Sequence, residues 1–313
     1  MPIPEPALHH ITVAQNRRLA WWQWGTPDAP HLVVCMHGLT RQGRDFDVIA
    51  AALVARAQAQ GRAIRVVCPD VAGRGQSDPL PDPQAYLPLT YVADMLPVLA
   101  DLQRRAPIAA LDWIGTSMGG IMGMLLAGSP QDALPAPVRR LVLNDVGPEL
   151  EWAALQRIGT YIGRVPVWAT VEEAAAALRV INAGFGPHSD AAWLELSRHC
   201  LRAMPDGRWQ LSYDPAIAQV FSSVTPEANA KATAALWQFY DRITAQVLLI
   251  RGGDSDLLTP VTAQAMAARG PRAKVIEFAG VGHAPTLIAP DQQRAVLDFL
   301  LPEHAEEALE PLR

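Results

Sequence analysis

Ala109-Ala110-Leu111-Asp112-Trp113-Ile114-Gly115-Thr116-Ser117-Met118-Gly119-Gly120-Ile121-Met122-Gly123-Met124-Leu125-Leu126-Ala127 reads as an apolar strand, a tight turn and an apolar helix in immediate succession. The pentapeptide Gly115-Thr116-Ser117-Met118-Gly119 therefore has the strand-turn-helix setting of a nucleophile elbow, in which a serine on a strained turn projects its Oγ from the sheet. The flanking glycines remove side chains that would collide with the adjoining strand and helix. Ser117 is the candidate nucleophile.

Outward from the elbow, short apolar runs alternate with helical spacings. His10–Val13 and Leu19–Trp24 show partial period-two alternation, whereas His31–Met36 and Ile64–Cys68 are nearly continuous, as expected of strands covered on both faces. Phe46, Ile49, Leu53 and Val54 mark a helix that ends before Gly61, and a second helix is expected over Tyr91–Leu102. Further strands are expected at Val138–Leu143, Val247–Ile250 and Lys274–Phe278. Alternation of this kind predicts an α/β fold with a mostly parallel sheet flanked by helices. Between Pro148 and about residue 231 the pattern changes to helical stretches with no convincing strand. This predicts a core built from residues 1–147 and 232–313 and an inserted helical cap at 148–231. The charged tail from Glu303 is expected to fray.

Composition limits the function. Half of the 313 residues are hydrophobic and 18% are charged, which is ample for a large core. A net charge of −5 offers no basic footprint for nucleic acid. Cys35, Cys68 and Cys200 are odd in number and widely spaced, so they read as small core hydrophobes rather than disulfide partners or metal ligands. With no signal-peptide pattern and no bilayer-length apolar span, the expectation is a cytoplasmic protein without a membrane partner. The oligomeric state is left open between monomer and homodimer.

A serine hydroxyl needs a base in reach and a third group to orient that base. His283, in the glycine-flanked loop Gly280-Val281-Gly282-His283-Ala284-Pro285, follows the last expected strand. Asp254 and Asp256 both lie just past the carboxyl end of the strand before it, where ligand sites of parallel sheets occur. The order Ser, Asp, His is that of the α/β-hydrolases. Met118, the residue after the nucleophile, supplies one amide for an oxyanion hole.

From Trp21 to Leu301 the chain resembles the α/β-hydrolase superfamily, in its capped esterase and meta-cleavage-hydrolase branch. The resemblance rests on His37-Gly38, Gly73-Arg74-Gly75-Gln76-Ser77-Asp78, the elbow, an aspartate loop ending in Leu258-Thr259-Pro260, and Gly282-His283. It implies an eight-stranded sheet under a cap and no metal or organic cofactor. It selects Asp256, four residues before Pro260, as the triad acid, with Asp145 ranked second, and it places the second oxyanion amide at Leu39. The helical insert would then wall a substrate pocket, with Trp152, Tyr161 and Trp168 as its expected aromatic lining.

The implied activity is hydrolysis of a small or medium-sized carboxylic ester through an acyl-enzyme. A carbon-carbon hydrolase of the meta-cleavage type is the alternative, because its members share Ser-Met-Gly-Gly as in Ser117-Met118-Gly119-Gly120. The loop after His37-Gly38 lacks the HGxGPG pattern common in that group. A ligand receptor on the same scaffold is a further possibility. Arg41 and Arg44 are candidates for an acidic substrate group, and Gly73–Asp78 reads as a turn shaping the pocket floor.

Overall fold

In the computed structural model, which describes residues 4–303, the period-two pattern resolves into one eight-stranded sheet. Its strands are β1 (Ala7–Val13), β2 (Arg17–Gly25), β3 (His31–Met36), β4 (Ile64–Asp70), β5 (Ala110–Thr116), β6 (Val138–Asn144), β10 (Gln246–Gly252) and β11 (Lys274–Phe278). They lie in the order β1-β2-β4-β3-β5-β6-β10-β11. The pairs β1/β2 and β2/β4 are antiparallel, and every other neighbouring pair is parallel.

Alternate residues of each central strand face opposite layers, as the pleat requires. Leu32, Val34 and Met36 of β3 join Trp113 of β5 and Leu141 and Leu143 of β6 in a core under helices α2 (Pro88–Arg105), α3 (Met118–Ala127), α8 (Pro226–Asp241) and α9 (Pro260–Ala268). Val33 and Cys35 of β3 face the other way, with Cys68, Ile114, Val142 and Leu248, against α1 (Asp47–Ala59) and α10 (Pro290–Leu300). The three cysteines are free and buried.

The insert between β6 and β10 is not purely helical, contrary to the sequence expectation. It carries helices α4 (Trp152–Tyr161), α5 (Val171–Ile181), α6 (Asp190–Arg198) and α7 (Ala218–Ser222), and also strands β7 (Val167–Trp168), β8 (Leu201–Ala203) and β9 (Trp209–Leu211). These strands form a small antiparallel sheet in the order β7-β9-β8. Runs of two or three residues are too short to display an alternation, so the pattern could not reveal them. The expected division at 231 falls inside α8, which packs back onto α3 of the core. Of the tail expected to fray, only Glu303 lies within the described residues. Among those residues no helix is long and apolar enough to cross a membrane.

Candidate active site

The loops that follow β3, β5, β6, β10 and β11 all leave the carboxyl edge of the sheet, and the candidate site is assembled from them. Ser117 stands between β5 and α3 with φ 53° and ψ −118°, a left-handed conformation that a non-glycine residue adopts only when its surroundings enforce it. Two glycines enforce it here. A Cβ on Gly115 would lie 2.2 Å from the Gly119 carbonyl oxygen, and one on Gly119 would lie 2.1 Å from the Met36 carbonyl oxygen. The elbow is therefore pressed against both its own helix and strand β3. The Ser117 amide donates to the Asn144 carbonyl at 3.0 Å, tying the turn to β6.

His283 reaches Ser117 Oγ through Nε2 at 3.0 Å and Asp145 Oδ2 through Nδ1 at 2.7 Å. The carboxylate bonded to His283 is thus Asp145, at the end of β6, and not Asp256. Asp145 is fully buried, with three donors: the Gly252 amide on Oδ1 at 2.8 Å, and Ser255 Oγ and His283 Nδ1 on Oδ2 at 2.6 and 2.7 Å. Its own amide donates to the Ile250 carbonyl at 2.7 Å. Asp256 instead turns outward and pairs with Arg157 of α4 at 2.6 Å, both side chains about half exposed. Asp254 donates its amide to the Val281 carbonyl, bracing the loop that carries His283. The aspartate loop thus serves the site through Ser255, which also accepts from the amides of Leu257 and Leu258. The sequence reading missed Ser255, and only its position between the two aspartates hinted at a role.

On the oxyanion side, Met118 is the first residue of α3, so its amide has no carbonyl within the helix and is available above the elbow. Leu39 follows Gly38 in the loop after β3. That loop is held by His37, whose Nε2 accepts from the Val71 amide at 3.0 Å while Nδ1 donates to the Gly38 carbonyl at 2.7 Å. Acceptance at Nε2 requires neutral imidazole, and burial pushes its pKa down to about 3. Asp70 secures the neighbouring turns by accepting from the amides of Gly43 at 2.7 Å and Gln76 at 2.9 Å. Burial nevertheless raises its carboxyl to about 6 against those bonds.

Arg74, from the turn expected to shape the pocket floor, is a second residue that pattern reading did not single out. Its side chain is 1% exposed. Nε donates to the Leu39 carbonyl at 2.8 Å, Nη1 to the Ala72 carbonyl at 2.6 Å, and Nη2 to Tyr91 Oη at 3.1 Å and Met118 Sδ at 3.7 Å. Its described partners include no carboxylate, and the guanidinium lies 4.8 Å from the Tyr91 ring centroid. Arg74 therefore touches both residues expected to supply the oxyanion amides, Leu39 through its carbonyl oxygen and Met118 through its sulfur.

A cavity opens beside the elbow, lined by His37, Gly38, Arg41, Asp45, Phe46, Thr116, Phe185, Leu196, Ala284, Pro285 and Thr286. Its volume of about 40 Å³ has room for about three water-sized groups. Trp152, Tyr161 and Trp168 do not border this cavity. Trp152 and Tyr161 begin and end α4, where Tyr161 packs on the main core, and Trp168 sits opposite Trp209 in the small sheet. The insert meets the site through the turn Ala183–Phe185 and α6 instead. The Gly184 carbonyl accepts from the Gly282 amide at 2.6 Å, and His188 Nε2 meets Thr286 Oγ1 at 3.2 Å. Arg44 is engaged outside the cavity, 2.7 Å from Asp47 and stacked over Trp22. No group of three or more His, Cys, Asp or Glu residues suited to a metal ion occurs among the described residues.

A fold of this topology with a serine, histidine and aspartate at its carboxyl edge defines a class, and comparison with known proteins agrees. The model of the alpha/beta hydrolase family matches residues 33–299, and the chain belongs to that family. It is 46% identical over 285 residues to a 3-hydroxybutyrate-oligomer hydrolase of Cupriavidus necator, covering 90% of this chain and 92% of the relative. An esterase of Mycobacterium tuberculosis is 24% identical over 96% of this chain and 89% of its own length. Among solved structures, an alpha/beta hydrolase from Novosphingobium aromaticivorans superimposes with a TM-score of 0.80 at 32% identity, covering 96% of this chain and 99% of the other.

Proposed function

We propose that this chain hydrolyses short hydroxyacyl esters, oligomers of 3-hydroxybutyrate foremost, through an acyl-enzyme on Ser117. The observation that carries the reading is His283, held between Ser117 Oγ at 3.0 Å and Asp145 Oδ2 at 2.7 Å. Because Asp145 accepts from Nδ1–H, Nε2 carries a lone pair facing the serine hydroxyl. In the first half-reaction, Nε2 removes the Ser117 proton as Oγ adds to the ester carbonyl, and the Met118 and Leu39 amides receive the oxyanion. The imidazolium, stabilised by buried Asp145, then gives that proton to the departing alkoxide oxygen. The second half-reaction mirrors the first: Nε2 deprotonates water, hydroxide adds to the acyl carbon, and the proton returns to Ser117 Oγ as the acid leaves. The 46% identity to the Cupriavidus necator enzyme supports the substrate class.

The test is liberation of 3-hydroxybutyrate from its linear dimer and trimer, run beside p-nitrophenyl esters and a ring-fission dienoate. Turnover of the esters without dienoate cleavage is expected, with Ser117→Ala inactive and a fluorophosphonate labelling Ser117 in the wild type. Dienoate cleavage without ester turnover, or labelling at another residue with Ser117→Ala still active, would overturn the reading.

A further inference from the structure

The three side chains of the proposed reaction stand on loops that the sheet alone does not hold together. Ser117 follows β5 and Asp145 follows β6, its hydrogen-bonded neighbour, but His283 follows β11, which lies beyond β10 in the order β5-β6-β10-β11. The His283 loop therefore has to cross the ends of β10 and β6 to reach Ser117. Before the histidine it is braced by the Asp254 amide on the Val281 carbonyl at 2.8 Å and by its own Gly282 amide on the Gly184 carbonyl at 2.6 Å. Neither brace comes from β5 or β6.

Beyond the histidine the tie is a side chain. Asn144, the last residue of β6 and fully buried, donates from Nδ2 to the Pro285 carbonyl at 2.8 Å and to Thr116 Oγ1 at 2.9 Å. Pro285 stands two residues past His283, and Thr116 immediately precedes Ser117. The carbonyl of the same Asn144 accepts from the Ser117 amide at 3.0 Å, and its chain continues directly into Asp145. Asn144 thus joins the segments that carry all three side chains.

The chemistry of a primary amide suits this position. A peptide carbonyl only accepts, so the Pro285 oxygen fixes Nδ2 toward it, and the second N–H of the same group is left for Thr116. A carboxylate would present only acceptors to Pro285, and an aliphatic side chain would present nothing. The arrangement has a cost, because Asn144 Oδ1 is buried without a hydrogen-bond partner among the described residues. An unsatisfied buried acceptor destabilises a fold, which makes this amide a poor device for stability alone. Departures of that kind are expected where geometry serves a reaction.

We propose that Asn144 is a positioning residue for the reaction: its carboxamide clamps the His283 loop to the Ser117 elbow and keeps Nε2 in reach of Oγ. This inference rests on the assignment of Ser117 and His283 as nucleophile and base. Asn144 touches no reacting atom itself, and it acts through the register of the two segments it joins.

The test measures the rate at which a fluorophosphonate labels Ser117, together with kcat and KM on p-nitrophenyl butyrate and Tm. In Asn144→Leu, labelling should reach the same endpoint as in the wild type but about a hundredfold more slowly, the loss produced by a displacement of about 1 Å. The kcat should fall alike, with KM little changed. Thr116→Val removes only the acceptor on the elbow side and should slow labelling about two- to tenfold, the range for one neutral hydrogen bond. Thr116→Ser, which keeps the hydroxyl, should label at nearly the wild-type rate. A lowered Tm in Asn144→Leu with labelling and kcat unchanged would make its role purely structural and overturn the clamp, leaving the Ser117 reading in place. Absence of labelling at Ser117 in the wild type would bring down both. Should Asn144→Leu fail to fold, the Thr116 pair decides, and a wild-type labelling rate in Thr116→Val overturns the clamp.

Discussion

Replacing Asp145 by Asn tests the arrangement of the site most sharply, because the surrounding bonds dictate how the amide must sit. The Gly252 amide donates to Oδ1 at 2.8 Å, so the Asn carbonyl oxygen has to remain on that side. The new NH2 then faces His283 Nδ1, where the wild type has an acceptor at 2.7 Å. A donor there forces Nδ1 to become the acceptor and moves the imidazole proton to Nε2, the atom 3.0 Å from Ser117 Oγ. In that tautomer Nε2 cannot take the serine proton. Loss of the correct tautomer in a serine triad lowers kcat by about 10⁴, equivalent to about 5 kcal/mol of transition-state stabilisation. Asp256→Asn should behave differently: it removes an exposed pair with Arg157 worth roughly 0–1 kcal/mol of stability and leaves His283 untouched. The assay is kcat on a p-nitrophenyl ester for both variants, with circular dichroism to verify folding. If Asp145→Asn retained more than about a tenth of wild-type kcat, or Asp256→Asn lost as much as Asp145→Asn, the assignment of the acid would be refuted.

Two other outcomes are expected. Arg74→Met should lower kcat by about 10²–10³, the effect of losing one oxyanion donor, with KM little changed, because Arg74 holds the Leu39 carbonyl at 2.8 Å and contacts Met118; a loss of thermal stability with kcat intact would assign it a purely structural role. The pH dependence of stability should reveal two buried groups acting in opposite directions. Unfolded His37 protonates near pH 6.5, whereas burial keeps the folded ring neutral down to about 3, so its contribution is lost as pH falls through that span. Folded Asp70 keeps its proton up to about pH 6, whereas the unfolded carboxyl has lost it near 3.8, so its contribution is lost as pH rises between those values. Asp70→Asn removes the second effect, and its Tm should fall more steeply than that of the wild type on acidification from pH 6 to 4, as followed by thermal melts; equal slopes would contradict the opposition.

The residues of the proposed reaction differ in how far sequence could reveal them. Ser117 was legible because its neighbours Gly115 and Gly119 are a local steric requirement, met within five consecutive residues. His283 was legible from chain order and from its glycine-flanked loop after the last strand. The acid was not, since β6 and β10 are adjacent in the sheet and Asp145 and Asp256 both follow their carboxyl ends. Strand adjacency gives either loop access to the histidine, and no local pattern records which carboxylate turns inward. The lining of the cavity was not legible for a similar reason: Phe185 and Leu196 border it, whereas Tyr161 packs on the main core and Trp168 sits opposite Trp209 in the small sheet.

By itself the sequence determined the alternation of strands and helices, the parallel sheet they imply and the elbow serine, because periodicity and glycine sterics act between residues close along the chain. Tertiary structure alone decided that Asp145 faces His283 while Asp256 faces Arg157, and that Arg74 braces Leu39 beside Met118. It also decided that Arg41 and Asp45 share a cavity with Phe185. Those relations join segments up to 155 residues apart, as in the bond from Arg41 to the Leu196 carbonyl. Their hydrogen bonds and charges act through space over a few ångströms, a distance that separation along the chain does not encode.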